Sequence, residues 1–415
     1  MNIPFVPNRE EYLAMILQET RVSPSSEMVP LRRAVNRVTA SEIRCTRMIP
    51  DVPLSAMDGI AIHFDRLVSD PARMENWVSG VDYVFSNTGN AVDEQFDTVV
   101  LIEQVTVLDG GGVRLAQFPS FAGENINPPG SMLWEGEVLL AKGYRITPSQ
   151  LGLLAAGGIR KVNVVRKPRI VIIPTGDELV PVDLPLPQGK NVETNGLVLE
   201  AFIQQWGGEP ILYPIVPDDQ ERLTQTLRQA ASEGDIVILN AGSSKGSRDY
   251  ARNVLGKLGK VYCYEVAHGP AKCTSFTMIE ETPVLGIVGP AVPAEMTMAW
   301  YIRPLIEHIL GCPITTSRYI SAVLTREARS HVPFDFYMQA MVQKTAEGAY
   351  RATPLITFRP NGVEMSTCAM GLSVQPGTSH SNRVEMSARA NGILKIPGGR
   401  VFQEGEEVEI ELKVP

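Results

Sequence analysis

No run of about 18 apolar residues occurs in the chain, so no helix is expected to cross a membrane. The N-terminus, MNIPFVPNREEYLAMILQET, lacks a basic stretch followed by an apolar core, and it reads as a helix and not as a secretion signal. Cysteine is scarce. Cys45, Cys263, Cys273, Cys312 and Cys368 are scattered with no CxxC pair, the usage of reduced thiols in a cytoplasmic protein. The five histidines, His63, His268, His308, His331 and His380, show no HxxxH or HExxH spacing, which argues against a dedicated transition-metal site. Basic residues are outnumbered, 38 to 46, leaving a net charge of −8. A surface that tracks nucleic-acid phosphates needs a basic stripe, so no nucleic-acid partner is expected. A small anion is not excluded, because local Lys, Arg and backbone N–H groups can hold one, with a divalent cation bridging it to carboxylates.

What is present describes a globular protein: 44% apolar and 20% charged residues over 415 positions. That length calls for roughly two to four domains. There is no internal repeat, low-complexity tract or long linker.

Residues 9–20 carry apolar positions at helical spacing, and SEMVPLRRAVNRVTASEI forms a further short segment. CTRMIPDVPLSAMDGIAIHF is a proline-punctuated loop that leads into the strand-like IAIHF. The turn Met57-Asp58-Gly59 puts a carboxylate at its tip, either as a functional group or as a plain turn cap. From about Cys45 to Leu133 short apolar runs alternate with Gly, Asn and Asp turn signals, as in a small all-β module inserted into something else. Thr147-Pro148 predicts a helix start, and Gly157-Gly158 its stop.

From Lys167 to about Gly311 the pattern becomes β-α-β-α. The runs RIVIIP, ILYPIV, DIVILN, VYCYEVA and PVLGIVG read as strands. NGLVLEAFIQQWGG, DDQERLTQTLRQAASEG, DYARNVLGKLG and AEMTMAWYIRPLIEHIL read as helices. This predicts a three-layer α/β domain with parallel strands and crossover helices. The polar segments PTGDELV, VPDDQ and NAGSSKGSRD follow its strands, which puts them at the carboxyl edge of the sheet, where ligands bind in such folds. NAGSSKGSRD is read as a loop: small residues expose backbone N–H groups, Lys245 and Arg248 add positive charge, and Asp249 adds a carboxylate. An ordinary glycine-rich βα turn is the plain alternative. The last hundred residues are strand-rich, with GILKIPGG and EGEEVEIELKV giving a hairpin-like end.

The ordered set SAMDGIAI, NTGN, DTVVLIEQV, EGEVLLAKG, GLLAAGGI, PTGDELV, QGKNVETNG and NAGSSKGSRDY resembles the molybdopterin molybdenumtransferases, the MoeA family that also includes the E domain of gephyrin. SARANGILKIPGG with EGEEVEIEL is similar to that family's C-terminal β domain, so the resemblance spans essentially the whole chain. It implies a multidomain α/β-plus-β protein. Its central three-layer domain (168–313) would be MogA-like and molybdopterin-binding, with a helix over 1–23 packed on it. A β-rich domain (44–132) would be inserted in a linker and dimerisation domain made of 24–43 and 133–167, and a β-barrel-like domain would fill 314–415.

The activity implied is insertion of molybdate-derived metal into adenylylated molybdopterin with release of AMP, assisted by Mg2+ or another divalent cation. Phosphoanhydride cleavage of this kind needs N–H donors and cations for phosphate, and carboxylates to hold the metal ion. Matching the family motifs implies catalytic roles for Asp58, Glu178, Asp218 and Asp249. Thr175, Gly176, Asn195, Gly242, Ser243, Ser244, Lys245, Gly246, Arg248 and Lys272 would bind substrate, and Asp177, Glu178 and Asp249 would hold the cation. A homodimer is implied, with the adenylyltransferase that supplies the substrate as a possible partner.

The chain departs from the family at several loops. The family's GED falls at Gly130-Ser131-Met132, without either acid. KPGKP reads Gly269-Pro270-Ala271-Lys272-Cys273, and PGNP reads Val288-Gly289-Pro290-Ala291. SGGVSVG reads NAGSSKG, which loses a glycine and gains Lys245. Two readings follow: a divergent insertase, or a catalytically impaired paralogue that binds molybdopterin or a protein partner in a regulatory or scaffolding role.

Overall fold

The computed structural model describes residues 5–21, 25–241, 245–330, 332–355, 357–358, 364–365 and 384–413, with the side chains of 241, 245–249, 357–358, 364–365 and 384–386 outside that description. The chain forms two compact units, one made of Met1–Ser25 with Arg166–Pro415 and the other of Ser26–Val165.

In the first unit, helix α1 (Arg9–Glu19) starts at Asn8, whose side chain accepts from the Glu11 N–H while Glu11 accepts from the Asn8 N–H, both at 2.8 Å. This reciprocal cap satisfies two otherwise orphaned donors. The helix buries Tyr12 and Ile16, and the Tyr12 hydroxyl donates to the Ser275 carbonyl at 3.0 Å.

The central sheet has six strands: β1 (Arg169–Pro174), β2 (Glu209–Leu212), β3 (Ile236–Ala241), β4 (Lys260–Cys263), β5 (Ser275–Ile279) and β6 (Thr282–Val288). Their order is β2-β1-β3-β6-β5-β4. The first four are parallel, while β5 and β4 run antiparallel to their neighbours. The sheet is therefore mixed, which corrects the all-parallel expectation. β5 is not announced by the sequence, because the β5–β6 connection is the pair Glu280-Glu281, with Glu280 at φ +53°, and carries none of the usual Gly or Asn turn signals.

Helices α2 (Asn195–Trp206), α3 (Gln220–Glu233), α4 (Lys245–Leu258), α5 (Ala291–Thr297) and α6 (Arg303–Leu310) complete this part. A π-helical turn over Met298–Ile302 joins α5 to α6. Val171, Ile173, Val237, Leu239 and Val284 form one core with Leu223 and Leu227 of α3 and Val254 and Leu255 of α4. Each such buried aliphatic side chain contributes ~1.5–3 kcal/mol. On the other face, Ile170 meets Ile203 of α2 beside Gly208, where an added Cβ would lie 2.6 Å and 2.7 Å from their methyl carbons.

After α6 come β7 (Arg318–Leu324), β8 (Asp335–Lys344), β9 (Tyr350–Pro354), β10 (Gly392–Ile396) and β11 (Glu407–Leu412). They pair in the order β8-β9-β7-β11-β10, and β10 returns to β8, closing a five-stranded barrel. Only the β7–β9 pair in this barrel is parallel. Met338, Ala340 and Val342 alternate inward along β8, as strand geometry requires.

In the second unit, Tyr83–Ser86, Gly59–Ile62 and Thr98–Leu101 form a three-stranded antiparallel sheet with Gly59–Ile62 in the centre. A short helix, Phe64–Ser69, and a 3-10 turn, Pro71–Asn76, supply Leu67 and Met74 to its core, so the module is not all-β as the sequence reading expected. The helix is only six residues long, too short to leave a periodic signal. Ser26–Pro30 pairs with Lys161–Val165, and Ile43–Arg44 with Val138–Leu140. Helix Pro148–Ala156 begins with the expected Thr147 cap, in a capping box with Gln150, and its C-cap is Gly157.

Candidate functional site

From β1 the chain crosses to β2 on one side and then returns past β1 to β3 on the other. The loops leaving the carboxyl ends of β1 and β3 diverge here, and that divergence opens a crevice for ligands. Thr175 stitches its floor: its backbone N–H and its hydroxyl both donate to the Asn240 carbonyl, at 3.0 Å and 3.2 Å. The Gly176 N–H then bonds the Val216 carbonyl at 3.2 Å. Gly176 sits at φ +142°, and an added Cβ would lie 2.7 Å from the Glu178 carboxylate, which folds back over it. Only glycine fits this position without strain.

Acidic side chains gather on the same edge. Asp177 Oδ1 accepts from the Asp218 N–H at 3.3 Å, and Lys190 Nζ donates to the Asp177 carbonyl at 2.7 Å. Burial, and then the charges of Asp177 and Glu178, raise the Asp218 carboxyl above the usual carboxylate range. Tyr250, whose hydroxyl donates to the Asp219 carbonyl, is pushed up to about 12 by burial and by Asp218, Asp219 and Asp177. Mutual repulsion of this kind is what a bound divalent cation relieves, so the donor types suit a hard, oxygen-liganded ion. Among the described residues no three acidic or His/Cys side chains are already gathered as a ligand set.

At the start of α2 the buried Glu193 accepts from the Gly196 N–H with both oxygens, at 2.9 Å and 3.0 Å, and burial raises its pKa. Asn195 Nδ2 donates to the Gly289 carbonyl at 2.7 Å, tying α2 to the end of β6. Lys272 lies in the β4–β5 connection, half-exposed and 3.5 Å from the Glu265 carboxylate. Its loop is anchored by His268, which lies 3.2 Å from the Pro270 carbonyl through Nδ1 and 2.6 Å from the Tyr301 hydroxyl through Nε2.

The structure thus brings Thr175, Gly176, Asp177, Glu178, Asp218 and Asn195 to the carboxyl end of the parallel strands. Gly242, Ser243 and Ser244 lie outside the described residues. Lys245, Gly246, Arg248 and Asp249 fall within the first five residues of α4, which corrects the expectation of a loop there. Gly246 disguises this helix start, while the buried pair Val254 and Leu255 anchors the helix on the sheet. Asp58 belongs to the other compact unit. There it is exposed, and its Oδ1 accepts from the Thr88 N–H at 2.6 Å and the Thr88 hydroxyl at 2.9 Å, which lowers its pKa. The turn in place of the family's GED exposes Met132 and Trp134. Asn240, Lys190 and Glu193 were not singled out in the sequence. The one signal for Asn240 was a polar residue ending an apolar run.

Residues 8–158 match the model of the MoeA N-terminal region (domain I and II), and 171–308 match that of a probable molybdopterin binding domain. A molybdopterin molybdenumtransferase of Haemophilus influenzae is 30% identical over 309 residues, covering 71% of this chain and 76% of that protein. The chain belongs to the molybdopterin molybdenumtransferase family. A Staphylococcus aureus member is 26% identical over 427 residues, covering 98% of this chain and 95% of its own. The crystal structure of a molybdopterin biosynthesis MoeA protein from Pyrococcus horikosii superposes with a TM-score of 0.76 at 25% identity, over 98% of this chain and 99% of that one. The family resemblance and the mixed α/β-plus-barrel fold expected from the sequence are both borne out. No helix among the described residues is long and apolar enough to cross a membrane.

Proposed function

We propose that this family member inserts molybdate-derived metal into adenylylated molybdopterin and releases AMP. The observation that carries the reading is the acidic edge at the β1/β3 divergence, where Asp177 accepts from the Asp218 N–H and the charges of Asp177 and Glu178 act on Asp218, in a chain of this family. Phosphate binding is proposed at the backbone N–H groups opening α4, a segment that carries Lys245 and Arg248. Lys272 would add the remaining cation of its loop.

Asp177, Glu178 and Asp249 would hold a divalent ion, magnesium in this reading. When bound, that ion supplies charge neutralisation at the phosphoanhydride. The chain's own contribution is positioning. Gly176 lets Glu178 fold back over the crevice, Thr175 fixes the β1 loop to β3, and Asn195 fixes α2 to the Gly289 turn. Asp218, held above the usual carboxylate range, is suited to exchanging a proton with the oxyanion or an attacking oxygen. A catalytic role is proposed for Asp58 as well, on its match to the family motif alone.

The same reading includes a homodimer, with dimer contacts from 24–43 and 133–167, a cytoplasmic location, and the adenylyltransferase as the supplying partner. Light scattering tests the dimer. The function itself is tested by incubating the purified chain with adenylylated molybdopterin and molybdate, then adding a molybdenum-dependent apoenzyme. Reconstituted activity supports insertion, and none above the no-protein control counts against it.

A further inference from the structure

The polar end of β3 is unusual. Val237 and Leu239 face α3 and α4, so strand alternation directs Ile236, Ile238 and Asn240 to the opposite face, the one covered by α2. β3 lies between β1 and β6, and the Asn240 Cα pairs with Pro174 and Ile287. On that face the 2.7 Å bond from Asn195 to the Gly289 carbonyl spans from α2 to the end of β6, across β3. Asn240 therefore lies at the carboxyl end of β3, beneath this tie. The residue is 4% exposed, and among the described residues its Oδ1 has no hydrogen-bond partner. The strand end does not need that side chain, because Thr175 already serves the Asn240 carbonyl with two donors. A buried, unpaired amide acceptor destabilises a fold, and an apolar side chain of similar size would be the better structural choice.

We propose that Asn240 reads the ligand: its side-chain oxygen accepts an N–H from the amino-substituted edge of a planar heterocycle. Molybdate and fully ionised phosphate carry no N–H, so neither would satisfy Oδ1. Two parts of the substrate supply the chemistry, the 2-amino edge of the pterin and the 6-amino group of the adenine. The inference rests on the function proposed above and names a contact which that function does not require.

The test uses the purified full chain with Asn240→Leu and Asn240→Asp, molybdopterin and AMP as separate probes, and thermal unfolding of each sample. Asn240→Leu should unfold at the same or a higher temperature, yet bind the recognised probe about tenfold more weakly. Asn240→Asp keeps an acceptor oxygen and should retain affinity within about threefold. Loss confined to molybdopterin assigns the contact to the pterin, and loss confined to AMP assigns it to the adenine; either supports the proposal. A lower unfolding temperature in Asn240→Leu with both affinities unchanged would overturn it, showing a structural amide. Equal loss in both variants would overturn the acceptor role. If the wild-type chain binds neither probe, the functional reading fails and takes this inference with it.

Discussion

His268 Nε2 lies 2.6 Å from the Tyr301 hydroxyl, and its Nδ1 lies 3.2 Å from the Pro270 carbonyl. A carbonyl cannot donate, so Nδ1 carries the proton and Nε2 accepts from Tyr301. Neutral imidazole thus ties the Lys272 loop to the helical segment that packs against α1, where the Tyr12 and Tyr301 rings stand 4.4 Å apart.

Burial holds the His268 pKa down to about 4, against an ordinary 6.5. Between those values the unfolded chain takes up a proton that the native chain refuses. The contribution is therefore complete above pH 6.5 and is lost as pH falls toward about 4, at a cost of ~3 kcal/mol. His268→Gln should flatten this part of the acid limb. Urea unfolding of both proteins across that range checks it, and parallel pH profiles would remove His268 as the cause.

Asp218 shows the opposite sense. Its carboxyl is raised by burial and by Asp177 and Glu178, so its ionised form burdens the native state at neutral pH, and stability is gained as pH falls through its folded pKa. Asp218→Asn should raise the cation-free melting temperature slightly and lower turnover at least a hundredfold, on the order of a lost general acid–base group. Magnesium should raise the melting temperature of the wild type more than that of the variant. Calorimetry with and without the ion decides this.

Gly59 has no room for a side chain. A Cβ would lie 1.9 Å from the Val100 carbonyl oxygen in the neighbouring strand. Gly59→Ala should destabilise the Ser26–Val165 unit by ~3 kcal/mol, the upper end of ordinary single-site effects. Denaturant unfolding followed by Trp77, which is buried in that unit's core, reports it.

Lys272 is half-exposed, and its Nζ lies 3.5 Å from the Glu265 carboxylate. Lys272→Ala should weaken phosphate-bearing ligands severalfold at low salt and less at high salt, because exposed charges are screened. A loss of equal size at all salt concentrations would instead indicate disruption of the loop that His268 anchors.

Much of this was legible in the sequence. RIVIIP and DIVILN are β-branched runs that only a doubly buried parallel strand accommodates, and they place Thr175 and Asn240 at the same edge. The Thr147-Pro148 start needed only local capping chemistry. What stayed hidden depends on long-range pairing or on overridden propensity. β5 turns back through Glu280-Glu281, and the barrel closes by pairing Gly392–Ile396 with a strand more than fifty residues earlier, beginning at Asp335. The first turn of α4 contains Gly246, which masked its helical state. His268 and Tyr301 meet only in the folded chain, and no spacing announces the pair.

AMP release from adenylylated molybdopterin by the purified chain, with molybdate and magnesium each present or omitted, decides whether the chain is an insertase. Release should require molybdate and be lost in Asp249→Ala. Tight binding of the pterin with no release under any condition would contradict it, and would leave a binding protein built on an insertase scaffold.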